Sequence, residues 1–269
     1  NAALPKLEPT WHALAALPAS LDRDAVRARI ENVSAPPTRA SYAGDGHALD
    51  AEQLASLRDS LALDAIPGSV PVRFGLIAHR AALRTFPTMQ RVFSKPGDSD
   101  IDRFQESALF PGTPVAVLHA SRDGRWRFVV APNYAAWIRA DALAEGSRDE
   151  VLGYAGKQPR LVVTGSGVRT VFDPSRPQLS QLPLDMGTHL PWLADWPRDE
   201  PVSGQATYAA WVVQLPMRDA HGDLQLVPAL IPRGQDVRAG DLPLSRANLL
   251  RQAFKLLGER YGWGHDYDG

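Results

Sequence analysis

The sequence predicts a mainly β chain with a helical N-terminal segment, two small β-barrels, and a final amphipathic helix that opens a further domain. Three observations predict it. Turn formers are dense, with 23 Pro and 21 Gly in 269 residues, which favours short elements and many turns. From Val70 onward, short β-branched and aromatic runs replace helical periodicity. Over 245–257 the three- and four-residue spacing of an amphipathic helix returns.

Residues 1–70 form the helical and irregular segment. Leu21, Ala25, Val26 and Ile30 fall near helical spacing, and Pro36-Pro37 ends that stretch. A second helix is predicted over Leu49 to Leu61, with Asp50, Glu52 and Gln53 in its first turn. Pro67-Gly68 supplies the closing turn.

Residues 71–147 read as the first barrel, a compact set of about five strands. Val72 to Ile77, Val115 to Ala120, Trp126 to Val130 and Ala136 to Ile138 are its clearest runs. Asp123-Gly124 sits between two of them, and an Asp-Gly pair flanked by β-formers is a hairpin signal because both residues tolerate positive φ. Small barrels of this size are SH3-like. Residues 148–241 repeat the style without repeating the sequence. Arg160 to Thr164, Ala209 to Leu215 and Leu224 to Ile231 are its strands, with a polar turn at Asp219 to Asp223. In 242–269, Ser245 is an N-cap, Ala247, Leu250, Ala253, Phe254 and Leu257 form the apolar stripe, and Gly258 stands at the C′ position. A Gly- and aromatic-rich hook, Arg260 to Gly269, follows.

Composition excludes several functions. A formal charge of −1 without a basic stripe lacks the footprint of nucleic-acid binding. No run of about 18 apolar residues is present to span a membrane. With no cysteine, these residues form no disulfide, no Cys-ligated metal site and no thiol nucleophile, and the redox compartment stays open. A start at Asn1 without a charged-then-apolar leader is expected of a processed or trimmed chain.

Two stretches resemble a known family. Leu249 to Gly258 followed by Arg260-Tyr261-Gly262-Trp263-Gly264 resembles the opening of the NlpC/P60 peptidase domain, an α+β papain-like fold. In that family the first helix runs into a Tyr-Gly-Trp-Gly-Gly loop, and an Asp-Cys-Ser sequence comes shortly after. Here His265 replaces the second glycine, and no Cys follows before Gly269. The second stretch runs from Arg84-Thr85-Phe86-Pro87-Thr88 through Gly112-Thr113-Pro114-Val115 and His119 to Trp126, to Tyr134-Ala135-Ala136-Trp137. It resembles the bacterial SH3 domain that precedes such peptidases.

The resemblance implies a wall hydrolase that cuts the γ-D-glutamyl–diamino acid bond of peptidoglycan stem peptides, located in the periplasm, in the cell envelope or outside the cell. Its nucleophile is a Cys at a helix N-terminus paired with a His. The expectation is that this chain forms the recognition and targeting portion, and that its partners are the stem peptide and the rest of its own peptidase domain. No catalytic residue is assigned within 1–269, and the chain alone is expected to be inactive. A noncatalytic SH3-type peptidoglycan-binding module and a structural adaptor that docks through β-edges are the alternatives.

The same resemblance carries three substrate-site residues. Tyr261 corresponds to a loop tyrosine lining the site beside the nucleophile, or else packs the first turn with Trp263. Tyr134, with Trp137 at the matching spacing and Ala136 in place of a usual Gly, corresponds to an SH3 tyrosine shaping the substrate's amino end. The alternative is a pair of barrel-surface aromatics. Thr113 occupies the turn where relatives carry a Glu that pairs with the substrate's free amine, and a hydroxyl cannot supply that countercharge.

No cofactor or metal is called for, because His119, His221 and His265 lie in separate segments without ligand spacing. Asp266 and Asp268 read as solvated. Thr164 to Gly167 lacks the Gly-x-Ser-x-Gly elbow and reads as a turn. Trp192 and Trp196 are read as core packing, with a carbohydrate-stacking patch as the alternative.

Overall fold

A computed structural model describes residues 12–259 and 262–265, and within them the chain is mainly β with few helices. Ser20–Asp22 is a strand rather than the start of a helix; it pairs antiparallel with Ser69–Pro71 and ties the two ends of the N-terminal segment together. The helix that follows, Arg23–Val33, buries Val26 and Ile30, one turn apart on one face, and ends at Ser34 before the prolines. The second helix, Ala51–Ser60, starts at a capping box. Asp50 accepts from the Gln53 backbone N–H at 2.8 Å, and the Gln53 side chain accepts from the Asp50 N–H at 3.0 Å.

Where the first barrel is expected, the chain forms a seven-stranded antiparallel sheet rather than five strands. In chain order its strands are β1 (Arg73–Ile77), β2 (Ala81–Arg84), β3 (Gln105–Leu109), β4 (Pro114–Ala120), β5 (Trp126–Val130), β6 (Ala135–Arg139) and β7 (Leu143–Gly146). They are ordered β7-β1-β4-β5-β6-β2-β3 across the sheet. The β4–β5 hairpin carries Asp123-Gly124, but only Gly124 is left-handed, with φ of 70°. Asp123 instead stabilises the turn through its side chain, accepting from the Ser121 hydroxyl at 2.6 Å and from the Arg125 N–H at 3.0 Å.

The barrel and the N-terminal segment share one apolar core. Val26, Ile30, Leu57, Leu61 and Ile66 from the segment meet Phe86, Phe104, Leu118, Phe128 and Trp137 from the barrel. Each fully buried large apolar side chain contributes roughly 1.5–3 kcal/mol, so this shared core stabilises both parts. Trp137 is fully buried, so the reading of it as a surface aromatic is corrected. Its ring meets Phe128 edge-on at 5.4 Å, and its indole N–H donates to the Ser34 hydroxyl at 3.1 Å. Ser34 in turn donates to the Thr85 carbonyl at 2.6 Å. His119 makes a second polar tie, with Nε2 3.1 Å from the Leu61 and Ala62 carbonyls; since carbonyls only accept, Nε2 carries the proton.

A helix that sequence periodicity did not reveal, Arg148–Gly156, connects to the second unit. Ser147 and Glu150 form its capping box. Its Tyr154 hydroxyl donates to the Gln214 carbonyl at 2.9 Å, joining the helix to the next β element. That unit contains a three-stranded sheet of His189–Pro191, Arg160–Val163 and Val237–Ala239, and a short ladder of Val168–Arg169 with Pro183–Leu184. Its long hairpin pairs Ala210–Arg218 with Leu224–Pro232. A single bridge, Trp192 to Val213, links the first sheet to the hairpin, and Leu161, Val163, Leu190, Val213, Leu215 and Ile231 fill one core between them. The turn at the hairpin tip is the expected polar one, with Asp219 accepting from the His221 and Asp223 N–H groups at 2.8 Å.

Replacing Ser34 leaves the buried Trp137 indole without an acceptor. Ser34→Ala is expected to destabilise the chain by ~1–3 kcal/mol in urea unfolding, whereas a value near zero would show that the tie contributes nothing.

Candidate functional site

The candidate site forms where the start of β3 meets the aromatic–glycine hook. Its foundation is the segment between β2 and β3. Arg84 and Asp102 form a buried ion pair at 2.5 Å. Arg84 also donates to the Thr88 carbonyl at 3.0 Å, the Gln90 carbonyl at 2.6 Å and the Gln105 Oε1 at 3.2 Å. The other Asp102 oxygen accepts from the Val92 and Phe104 N–H groups at 3.0 and 2.9 Å. Both charges are thus hydrogen-bonded on several sides, as buried ions must be.

Gln105 opens β3 with its side chain buried, and Glu106 follows on the opposite face by strand alternation. Glu106 accepts a hydrogen bond from the Tyr134 hydroxyl. Tyr134 precedes β6 and remains 38% exposed. Partial burial, then the hydrogen bond and negative charge of Glu106, push the Tyr134 phenol up to about 12. It therefore stays protonated and donating across the physiological range. A carboxylate and a phenol at one solvent-accessible point can receive a cationic amine or a hydrogen-bonding peptide end.

The hook reaches this strand from the final helix. Arg246–Phe254 starts at Ser245, whose hydroxyl accepts from the Asn248 N–H at 3.2 Å. Leu249, Leu250 and Phe254 are exposed, and no helix residue is buried. Lys255 fastens the helix end to the second unit, bonding the Thr164 carbonyl at 2.9 Å and Asp236 at 2.5 Å. In the hook, the Trp263 indole N–H donates to the Gln105 carbonyl at 3.0 Å, and the Gln105 amide donates to the Gly264 carbonyl at 2.9 Å. Gly264 is left-handed at φ 58°, and a Cβ there would lie 3.0 Å from Gln105 Cγ and 3.1 Å from the Glu106 carbonyl. Only glycine seats the hook this closely.

Of the three residues carried by the resemblance, Tyr134 stands at this seam and Tyr261 lies outside the described residues, as do Asp266 and Asp268. Thr113 sits on the Phe110–Thr113 turn, past the far end of β3 from Glu106. Its N–H bonds the Phe110 carbonyl and its carbonyl accepts from the Ile77 N–H, both at 3.0 Å. Glu106 was missed because the pairing spans 28 positions and its strand, Gln-Glu-Ser-Ala-Leu, carries no β-branched or aromatic residue.

The remaining candidates serve packing. Trp192 meets Trp211 edge-on at 5.2 Å beside the second core. Trp196 packs against a small cluster that includes Val202 and Val212, and its indole donates to the Glu200 carbonyl at 2.9 Å. The Thr164 hydroxyl donates to Asp236 at 2.8 Å, tying its turn to the residue before Val237–Ala239. Among the described residues no group of three or more His, Asp or Glu could hold a metal, and no helix is long and apolar enough to cross a membrane.

Comparison with known proteins places the first barrel in a class. Residues 91–139, which include Glu106 and Tyr134, match the family model described as SH3 domain (SH3b1 type). A solved structure then extends the likeness to almost the whole chain. An NlpC/P60 endopeptidase from Photobacterium damselae subsp. piscicida superposes with a TM-score of 0.69 at 19% identity, covering 90% of this chain and 50% of that one. The chain thus spans about half the length of that endopeptidase, and at this identity the likeness is one of fold. No curated protein matches. Both findings support the resemblance to NlpC/P60 peptidases that carry a bacterial SH3 domain.

Spectrophotometric alkaline titration tests the Tyr134–Glu106 contact. Tyr134→Phe is expected to remove a phenol that ionises near 12, well above ordinary tyrosine. Loss of a group titrating near 10 instead would show that the contact is absent in solution.

Proposed function

We propose that this chain is the substrate-recognition and targeting portion of a bacterial peptidoglycan hydrolase that cleaves the γ-D-glutamyl–diamino acid bond of wall stem peptides. The observation that carries the reading is the Tyr134–Glu106 pair beside the docked hook. In this reading, residues 148–241 are a second barrel of the same type. Helix 246–254 is the first helix of the papain-like domain, and the apolar residues it leaves uncovered support its continuation into such a domain. The protein works in the cell envelope or outside the cell. The chain supplies no thiol, so the nucleophile comes from the peptidase domain and not from residues 1–269.

Glu106 changes the expected specificity. Thr113 alone would leave the substrate's amine without a countercharge, whereas a carboxylate beside Tyr134 restores it. The peptide's free α-amino group would bind the Glu106 carboxylate beside Tyr134, so a stem peptide already freed at its L-Ala end is the favoured ligand. Thr113 then serves the turn, and Tyr261 would keep the substrate-site role that the resemblance implies for it. Sites of this kind, between domains, bury a ligand while few polar groups orient it.

Titration calorimetry with L-Ala-γ-D-Glu-diaminopimelate tests the proposal. Glu106→Gln is expected to weaken binding about tenfold, the scale of a charge-assisted hydrogen bond. Acetylating the peptide's amine should have the same effect on the unaltered chain and none on the variant. Affinity should fall as pH rises through ~8, where an α-amino group loses its proton. Equal affinity for free and acetylated peptide would overturn the reading. In an enzyme carrying both domains, Tyr134→Ala should reduce turnover on short stem peptides far more than it lowers the melting temperature; equal losses would mark Tyr134 as structural.

A further inference from the structure

We propose that Gln105 is a positioning residue that latches the hook onto the barrel, and that the buried Arg84–Asp102 pair keeps its amide the right way round. Gln105 grips two consecutive hook residues at once. Its backbone carbonyl takes the Trp263 indole N–H, and its side-chain NH2 donates to the Gly264 carbonyl.

The side chain has one acceptor and two donor hydrogens, and each is used. Oε1 takes Arg84 Nη1 at 3.2 Å, while Nε2 gives to the Ser107 carbonyl at 2.8 Å and the Gly264 carbonyl at 2.9 Å. Turning the amide over would set its NH2 against a guanidinium and its oxygen against two carbonyls, so all three contacts become repulsive. The orientation is therefore dictated by Arg84, which Asp102 and the Thr88 and Gln90 carbonyls hold in place.

This gives the ion pair a role beyond stability. Burying two charges costs several kcal/mol, and well-packed apolar residues often serve a core equally well. What apolar residues cannot do is aim an amide. Gly264 completes the latch, since any side chain there would strike the Gln105 side chain and the Glu106 backbone. The latch holds Glu106 and Tyr134 at a set position from the hook before any peptide binds. That consequence rests on the proposed function, but the latch itself does not.

Indole N–H exchange with water, followed by NMR on the full chain, reads it directly. Trp263 reports the hook, and Trp137, bonded to Ser34 in the core, reports the fold. Gln105→Met keeps the side-chain length and the backbone carbonyl but cannot donate to Gly264. Exchange at Trp263 is expected to rise about fivefold, the factor one net hydrogen bond carries, with Trp137 unchanged. Unchanged exchange at both would overturn the latch.

Where Gln105→Met also loosens Trp137, the comparison moves to Gly264→Ala, which leaves the ion pair intact. Gly264→Ala should speed Trp263 alone, and adding Gln105→Met should speed it no further relative to Trp137. Additive effects would mean that the two residues act separately, and would overturn the proposal. No peptide is present in this experiment. Failure of peptide binding would therefore sink the functional reading and leave the latch standing, and an unlatched hook with peptide binding unchanged would overturn the latch alone.

Discussion

The seam depends on the buried contact between Arg84 and Asp102. These residues bracket the long connection between β2 and β3, and their pairing is its buried ionic tie. Asp102 also accepts two backbone N–H groups, from Val92 and Phe104, so one carboxylate organises both the incoming and outgoing chain. Arg84 does the same for the Thr88–Gln90 turn through two carbonyls. Removing either partner would strand an ion in the interior, which is why the segment behaves as a unit.

From this foundation β3 does two tasks because a strand has two faces. Successive side chains alternate, so Gln105 joins the buried network and Glu106 meets Tyr134 at the surface. A shift of one residue would exchange these roles, putting a carboxylate beside the ion pair and an amide beside Tyr134. The register is protected by the pairings of Ala81, Ala82, Leu83 and Arg84 with β3, with an irregularity at Leu83/Arg84 that lets Gln105 reach Arg84. The exposed Tyr134–Glu106 contact and the interior electrostatics are thus coupled through one short strand.

The N-terminal segment contributes by closing the other side of the barrel. Its helices share a core with Trp137, and Ser34 satisfies the one polar atom of that ring. A buried indole N–H without a partner would cost what the ring's burial gains in part, so the short serine tie matters out of proportion to its size. The sequence reading took 1–70 as a unit of its own, because helical periodicity reports which face is apolar and not which surface covers it. It took Trp137 as a surface aromatic because β6 is apolar on most of its length, and such a run does not tell inside from outside.

Several parts were legible in the residues themselves. The Ser245 cap, the Asp219 turn, and the β1, β4, β5 and β6 runs rest on local chemistry: a side chain bonding its own backbone, or β-branched residues that fit a pleated surface. The aromatic–glycine motif after the last helix was equally plain, since it lies in a few consecutive positions. Strands β2, β3 and β7 were not legible, because Ala, Gln, Glu, Ser and Leu carry no β preference and take extended form only where neighbours offer backbone partners. Nor could the meeting of Glu106, Tyr134 and Gly264 be read from their positions. Their contact is set by sheet order, a long-range pairing of backbones, and spacing along the chain carries no record of which strands will lie side by side.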